Sequence, residues 1–513
     1  MKKSCNQLLM LSLGMLLMVT NALAESPAPS VVTTMANVTV NVPILAPSLT
    51  ASVETPVLHQ YDDAPLTPDA DDPAIWRNSA NPKRSLVIAS LKDAGLQVYN
   101  LQGKVLQTIY PANHPAVTEQ DPPVPGLTSV LAATATCKGS TETYGRFNNV
   151  DVVYGVNIPK LGQVDLALAT DRGCDMLRVF VIDPSKPNKP LQEITDTDAP
   201  RVFNNRIFQP SSYQPASDHE AGESENPVDE QNTAYGLTVF KDGNKTRVFV
   251  SQRSRSRLVE LVLRPTKNGT VSYRVIRDYR FPVVHDVPAS TSTEMLHWEA
   301  CREDPNDDLQ FEGLAVDARQ GILYASQELI GVWKLPIARY IPDAVEVINV
   351  SDHFLMEKVK TFAMPYAAIP DGDEFECEYG DTSSAPSNAI IVPGNAAFAG
   401  QHIEADAEGI SVVDKKDGTG YVIVSSQGND TLQVYAQGNL FSNNVYLGEV
   451  TIEGVAETDG VHVVAQPFSK LFPDGLMVVH NGGAVEPEDT SDINGYEYDG
   501  STQFKYINFK LPF

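Results

Sequence analysis

Asp69, Asp71 and Asp72 crowd three carboxylates into four positions, and a proline and an apolar run, Pro73-Ala74-Ile75-Trp76, follow at once. Like charges this close repel unless a cation sits between them. Hard oxygen ligands of this kind suit Ca²⁺ better than Zn²⁺. Alone, such a segment can equally be a solvated turn before a strand. The pattern recurs, however. Aligned on the turn before each short apolar strand, the chain gives Asp71 and Asp72, Asn148 and Asn149, Tyr235, Glu312, Asp406 and Glu408, and Asp459. Four of these six positions carry a carboxylate, as expected of a shared Ca²⁺ site. A second recurring position, the turn between the next two strands, carries Lys92, Arg172 and Arg253, then Glu328 in the following repeat. An acidic half-ring facing a basic one suits an anion held between metal ions and cationic side chains.

The elements that must bring these residues together are short strands. Six of them are expected at residues 72–76, 149–154, 235–240, 312–317, 408–414 and 459–465. Each is followed by a strand, a small polar turn and another strand, at residues 86–99, 165–182, 247–263, 321–335, 421–435 and 476–509. Six such units predict an all-β fold, a six-bladed β-propeller with long inserted loops. Asp242-Gly243, Asp417-Gly418 and Asp474-Gly475 supply turn chemistry between strands. In a propeller the first strand of every blade lines the central channel, so the aligned positions converge on one mouth. Residues 111–147, 197–232 and 351–407 exceed hairpin length and are expected to be loops on one face of the disc. One ring takes up residues 49–513, and residues 25–48, rich in Pro, Val, Thr and Ala, read as a linker or N-terminal arm.

Residues 1–24 have the order of a secretory signal: Lys2 and Lys3, an apolar stretch over 8–19, and Ala22-Leu23-Ala24. No later run approaches a membrane span. Export to the periplasm or the medium is expected, and the four remaining cysteines, Cys137, Cys174, Cys301 and Cys377, then permit two disulfides in any of three pairings. The formal net charge of −27 argues against nucleic acid as a partner. It does not exclude an anionic small molecule where bound cations reverse the local field. A monomer is expected.

The motifs Asp71-Asp72-Pro73-Ala74-Ile75-Trp76, Asn148-Asn149-Val150-Asp151, Ala234-Tyr235-Gly236, Glu312-Gly313-Leu314, Asp406-Ala407-Glu408-Gly409 and Ser425-Ser426-Gln427-Gly428-Asn429, in this order, resemble the β-propeller phytases. The resemblance runs from about residue 69 to about residue 476. It implies a 3-phytase-type phosphomonoester hydrolase that removes phosphate from phytate (myo-inositol hexakisphosphate), using several Ca²⁺ ions and metal-activated water. By the same resemblance Asp71, Glu312, Glu328, Asp406 and Glu408 look like ligands of the catalytic Ca²⁺ ions, with Asp459 retained in the last blade. Asp72 and the Val150 carbonyl look like ligands of a structural Ca²⁺. Lys92, Arg172, Tyr235 and Arg253 look like phosphate ligands.

Some positions depart from the family pattern. Val153 stands where an Arg is usual, Asp93 breaks a basic pair at Lys92, Gln327 replaces a carboxylate beside Glu328, and the acidic stretch of the last blade is short, with Glu453 a candidate substitute. The rival readings are a Ca²⁺-dependent propeller lactonase or esterase and a non-catalytic Ca²⁺-binding propeller. The basic residues favour the phosphatase. His402 and His462 are expected to pack rather than to act as nucleophiles.

Overall fold

The computed structural model describes residues 47–61, 64, 66–114, 137, 144–203, 232–304, 309–372, 374–415, 418–442, 444–484, 498–511 and 513. The expected signal (1–24), nearly all of the arm (25–48) and most of the insertions at 111–147 and 197–232 lie outside the described residues.

Six inner strands start where the sequence repeat starts: Pro73–Trp76, Phe147–Ile158, Ala234–Asp242, Phe311–Asp317, Ala407–Asp414 and Val461–Val464. Each pairs antiparallel with a second strand, respectively Leu86–Ser90, Gly162–Asp171, Lys245–Gln252, Ile322–Gln327, Gly420–Ser426 and Leu476–Asn481. A third strand follows outward in every sheet. The inner strands touch one another in chain order, and the sixth touches the first. That closed ring is a six-bladed β-propeller.

Second strands such as Leu86–Ser90 and Ile322–Gln327 are buried along their whole length. Blades stack face to face, so both faces of a middle strand are covered and its sequence reads as a continuous apolar run. Trp76, Ile88 and Val98 of blade one meet Phe147, Val150 and Phe180 of blade two in one such layer.

The ring is closed by the start of the chain. Val53–Glu54 and Leu58–Tyr61 pair antiparallel with Tyr498–Asn508, completing blade six. Ser48–Leu49 adds a parallel edge to Tyr446–Ile452 of blade five. Ser48 is thus strand rather than the end of a linker.

The stretch at 351–407 is more ordered than a loop. It supplies the outer strand of blade four, Leu355–Lys358, and then a three-stranded sheet of Tyr366–Asp371, Glu374–Tyr379 and Ile390–Val392. The alternating exposure of Glu374–Tyr379 is that of a sheet with one wet face, a period-2 signal that its run of acidic residues concealed. A hairpin of His285–Pro288 and Met295–Trp298 is also inserted, between blades three and four.

Two disulfides join Cys137 to Cys174 and Cys301 to Cys377, with Cα separations of 5.0 and 5.9 Å. Among the described residues no helix is long and apolar enough to cross a membrane.

Candidate functional site

The mouth residues lie where the inner strands slip register. In blades two to five the pairing skips between Phe147 and Val150, Ala234 and Leu237, Phe311 and Leu314, and Ala407 and Ile410. Such an irregularity re-aims side chains at a strand end. The skipped residues include Asn148, Asn149, Tyr235, Glu312 and Glu408, so the aligned positions turn into the mouth instead of joining the blade.

Small hydroxyls on the second strands hold this arrangement. Ser251 Oγ accepts the Gly236 N–H at 2.7 Å and donates to the Phe311 carbonyl of the next blade at 2.6 Å. Thr170 does the same between Asn149 and Tyr235.

Carboxylate oxygens of Glu312, Glu328 and Glu408 lie within 4.8 Å of one another. Asp71 is 1% exposed, and neither of its oxygens meets a hydrogen-bond donor. One oxygen each of Glu328 and Glu408 is likewise buried without one. Burial, then the charge of Glu312, pushes the Asp71 carboxyl well above its ordinary range. Burial, then Asp406 and Glu312, does so for Glu328, and burial, then Glu328 and Glu312, for Glu408. Asp406 is pushed up to about 6 by burial, with Glu303 and Glu312 adding to it. Asp459 is raised by burial against the opposing pull of Lys92.

Buried, mutually repelling carboxylates without donors are costly unless a cation joins them. The oxygen-only donor set fits a hard cation. The expected residues Asp71, Glu312, Glu328, Asp406, Glu408 and Asp459 are therefore brought together.

The cations stand beside them. Lys92 pairs with Asp69 at 2.6 Å. Burial alone would lower its pKa, but Asp69, Asp71 and Asp459 raise it, so it is held charged. Arg172 Nη1 lies 3.4 Å from Asn148 Oδ1, and its guanidinium stands 5.5 Å from the centre of the Tyr235 ring. Tyr235 donates its hydroxyl to Glu312 Oε2 at 2.8 Å, and burial, then Glu312, raises its pKa well above the ordinary value. Arg253 is close enough to Glu328 to oppose the upward shift there.

Asp72 turns away from this group. Its Oδ2 accepts the Val150 N–H at 3.0 Å, a direct tie between blades one and two, and it lines a cavity of about 180 Å³ in the central channel with Asp151 and His462.

Other residues at the mouth escaped the sequence reading. Gln310 Nε2 donates to Glu328 Oε2 at 3.0 Å, while its carbonyl accepts the Ser254 N–H at 2.9 Å, fixing Glu328 to the Arg253 turn. Arg146 Nη1 meets Asp93 Oδ2 at 2.7 Å, so Asp93 recruits a second cation to the Lys92 turn. Gln427 donates to Asp459. His480 Nδ1 accepts the Asp459 N–H at 3.1 Å, and burial lowers its pKa to about 4, so its approach to the Asp459 carboxylate is not an ion pair. Two signals were available: Arg146 lies two residues before Asn148, and Gln427 sits within the Ser425–Asn429 motif at the offset that carries Arg172 and Arg253.

Glu453 is exposed and accepts from Thr50 rather than joining the mouth, because the turn it starts faces the chain's first strand. His402 stacks on Tyr446 at 3.6 Å and lies 3.1 Å from Glu357, in a packing role.

The fold is thus a six-bladed propeller whose mouth gathers buried carboxylates beside Lys92, Arg172 and Arg253. Residues 14–115 and 375–496 match the family model for Phytase. A 3-phytase of Bacillus subtilis (strain 168) is 23% identical over 448 residues, 85% of this chain and 80% of that protein. In sequence the chain is therefore similar to phytases over these two segments and along most of this relative. Among solved structures, an α-L-arabinanase of Penicillium chrysogenum complexed with arabinobiose aligns at TM-score 0.36 and 10% identity, over 89% of this chain and 98% of its own. The Cps50 (Swd1) β-propeller domain of Myceliophteria thermophila aligns at TM-score 0.30 and 10% identity, over 89% and 99%.

Proposed function

We propose that the protein is an exported, Ca²⁺-dependent phosphomonoester hydrolase that removes phosphate from phytate. The single observation that carries the reading is that buried carboxylate oxygens without a donor (both of Asp71, one each of Glu328 and Glu408) share one mouth with the cationic turns of Lys92 and Arg172. Asp71, Glu312, Glu328, Asp406, Glu408 and Asp459 would hold the ions. Ca²⁺ bound there supplies a Lewis acid and lowers the pKa of a bound water.

The chain's own residues do the rest. Lys92, Arg172 and Arg253 neutralise phosphate oxygens, and guanidinium groups do so through paired N–H donors. Tyr235, kept protonated by burial, holds Glu312 in place and presents its ring to Arg172. Gln310 orients Glu328. Asp72 and Val150 are read as the second, structural ion position, at the junction of blades one and two.

Two disulfides and the similarity to phytases support export, to periplasm or medium.

Phosphate release from phytate, with and without Ca²⁺ and beside a lactone control, tests the function. Release that depends on Ca²⁺, with no lactone turnover, is expected. Full release in excess chelator, or lactone turnover alone, would overturn the reading.

A further inference from the structure

Four mouth residues are followed directly by glycine: Tyr235-Gly236, Glu312-Gly313, Glu408-Gly409 and Asp459-Gly460. None of these glycines has a positive φ, so backbone freedom does not require them. Close approach does. A β-carbon on Gly236 would overlap the carbonyl oxygen of Glu312, one on Gly313 that of Glu408, and one on Gly409 that of Asp459. On Gly460 it would stand 2.6 Å from the carbonyl oxygen of Asp71 and 2.5 Å from Pro73 Cδ.

Each glycine thus abuts the backbone of the mouth residue in the next blade, from blade three round to blade one. The Gly409 N–H also donates to the Asp459 carbonyl at 2.9 Å. The residues so spaced include Asp71 and Glu408, whose buried oxygens lack donors.

We propose that Gly236, Gly313, Gly409 and Gly460 are positioning residues, whose missing β-carbons set the separation of the carboxylates and hence the affinity of the mouth for Ca²⁺. The inference rests on the metal-site reading above. A β-carbon would wedge neighbouring inner strands apart at the level of the ligands. Displaced supporting groups cost a metal site about 10- to 100-fold in affinity.

Gly420 provides a matched control. It lies at the far end of the same blade-five hairpin, and a β-carbon there would approach the Val413 carbonyl oxygen as closely as one on Gly409 would approach that of Asp459. Direct Ca²⁺ titration by calorimetry of the full chain, with Gly409→Ala, Gly460→Ala and Gly420→Ala compared, tests the proposal. Affinity should fall at least about tenfold in folded Gly409→Ala and Gly460→Ala, and stay near wild type in Gly420→Ala. Saturating Ca²⁺ should restore phosphate release in the first two.

Equal affinity in all three variants, no Ca²⁺ binding by the wild type, or failure of both mouth variants to fold while Gly420→Ala folds would each overturn it. The last outcome would assign the glycines to ring closure alone. A wild type that binds Ca²⁺ with this pattern yet releases no phosphate would sink the hydrolase reading and leave the positioning intact.

Discussion

The Tyr235 hydroxyl donates to a carboxylate that also belongs to the acidic cluster, so removing it leaves Glu312 Oε2 buried without its donor. An unmet buried acceptor costs about 1–3 kcal/mol. Tyr235→Phe is therefore expected to fold, to melt at a lower temperature, and to lose phosphate release at limiting Ca²⁺ more than at saturating Ca²⁺. Glu408→Gln keeps the side-chain volume and removes one charge from the cluster. Most turnover should disappear while the circular dichroism spectrum stays unchanged, and retained turnover would remove Glu408 from the catalytic set. At this scale the recurring carboxylate and basic positions were legible, because each sits at a fixed offset from an apolar strand. Gln310, Gln427 and Arg146 were not, although each occupies a repeated offset: Arg146 and Gln310 directly precede an inner strand as Asp406 does, and Gln427 directly follows a second strand as Arg172 and Arg253 do. An amide at either offset, or a cation among acids, does not read as part of a carboxylate site.

Blade three carries a buried ion cluster that lets its sheet grow outward. Glu260, fully buried, accepts from Arg247 and, at 2.7 Å, from Arg277, while Arg277 reaches Glu346 of the added parallel strand Glu346–Asn349 at 3.1 Å. Removing one partner of a buried ion pair costs about 3–5 kcal/mol because the other charge is stranded. Glu260→Gln should lower the free energy of urea unfolding by that order without changing Ca²⁺ affinity. The inserted three-stranded sheet is held differently. Cys301–Cys377 and the Phe375 N–H to Glu303 carbonyl bond, at 2.8 Å, pin it beside the Asp406 side of the mouth. A native disulfide contributes about 2–4 kcal/mol, and its reduction should lower the denaturation midpoint accordingly. The blades were visible in the sequence as apolar runs cut by Asp and Gly. This sheet was not, since its strands are short, its middle stretch Glu374–Tyr379 is acidic and half exposed, and a bridge to Cys301, far away in the chain, helps hold it.

Around the whole ring the carboxylates impose one electrostatic trend. Asp71, Glu328, Asp406, Glu408 and Asp459 all have pKa values raised on folding, with Asp406 at about 6. A carboxyl whose folded pKa exceeds its unfolded one binds more protons when folded, so stability falls as pH rises between the two values. In chelator the melting temperature should therefore decline from about pH 4 through about pH 6 and beyond, from the ordinary carboxyl pKa upward. Added Ca²⁺ should reverse that slope, because ion binding requires the ionised form. Differential scanning calorimetry across that range checks both signs.

The seam of the ring also has a direction. Val53 lies opposite Tyr506 and Leu58 opposite Thr502, so the chain leaves this antiparallel pair at one and the same end on both strands. Tension applied through the two ends would load its hydrogen bonds one after another, as in peeling, rather than together, as in sliding. A pull from both sides would first strip Ser48–Leu49 from the edge of blade five and then open blade six, so the separation of Asp71 from Asp459 should change before that of any ligands within blades two to four.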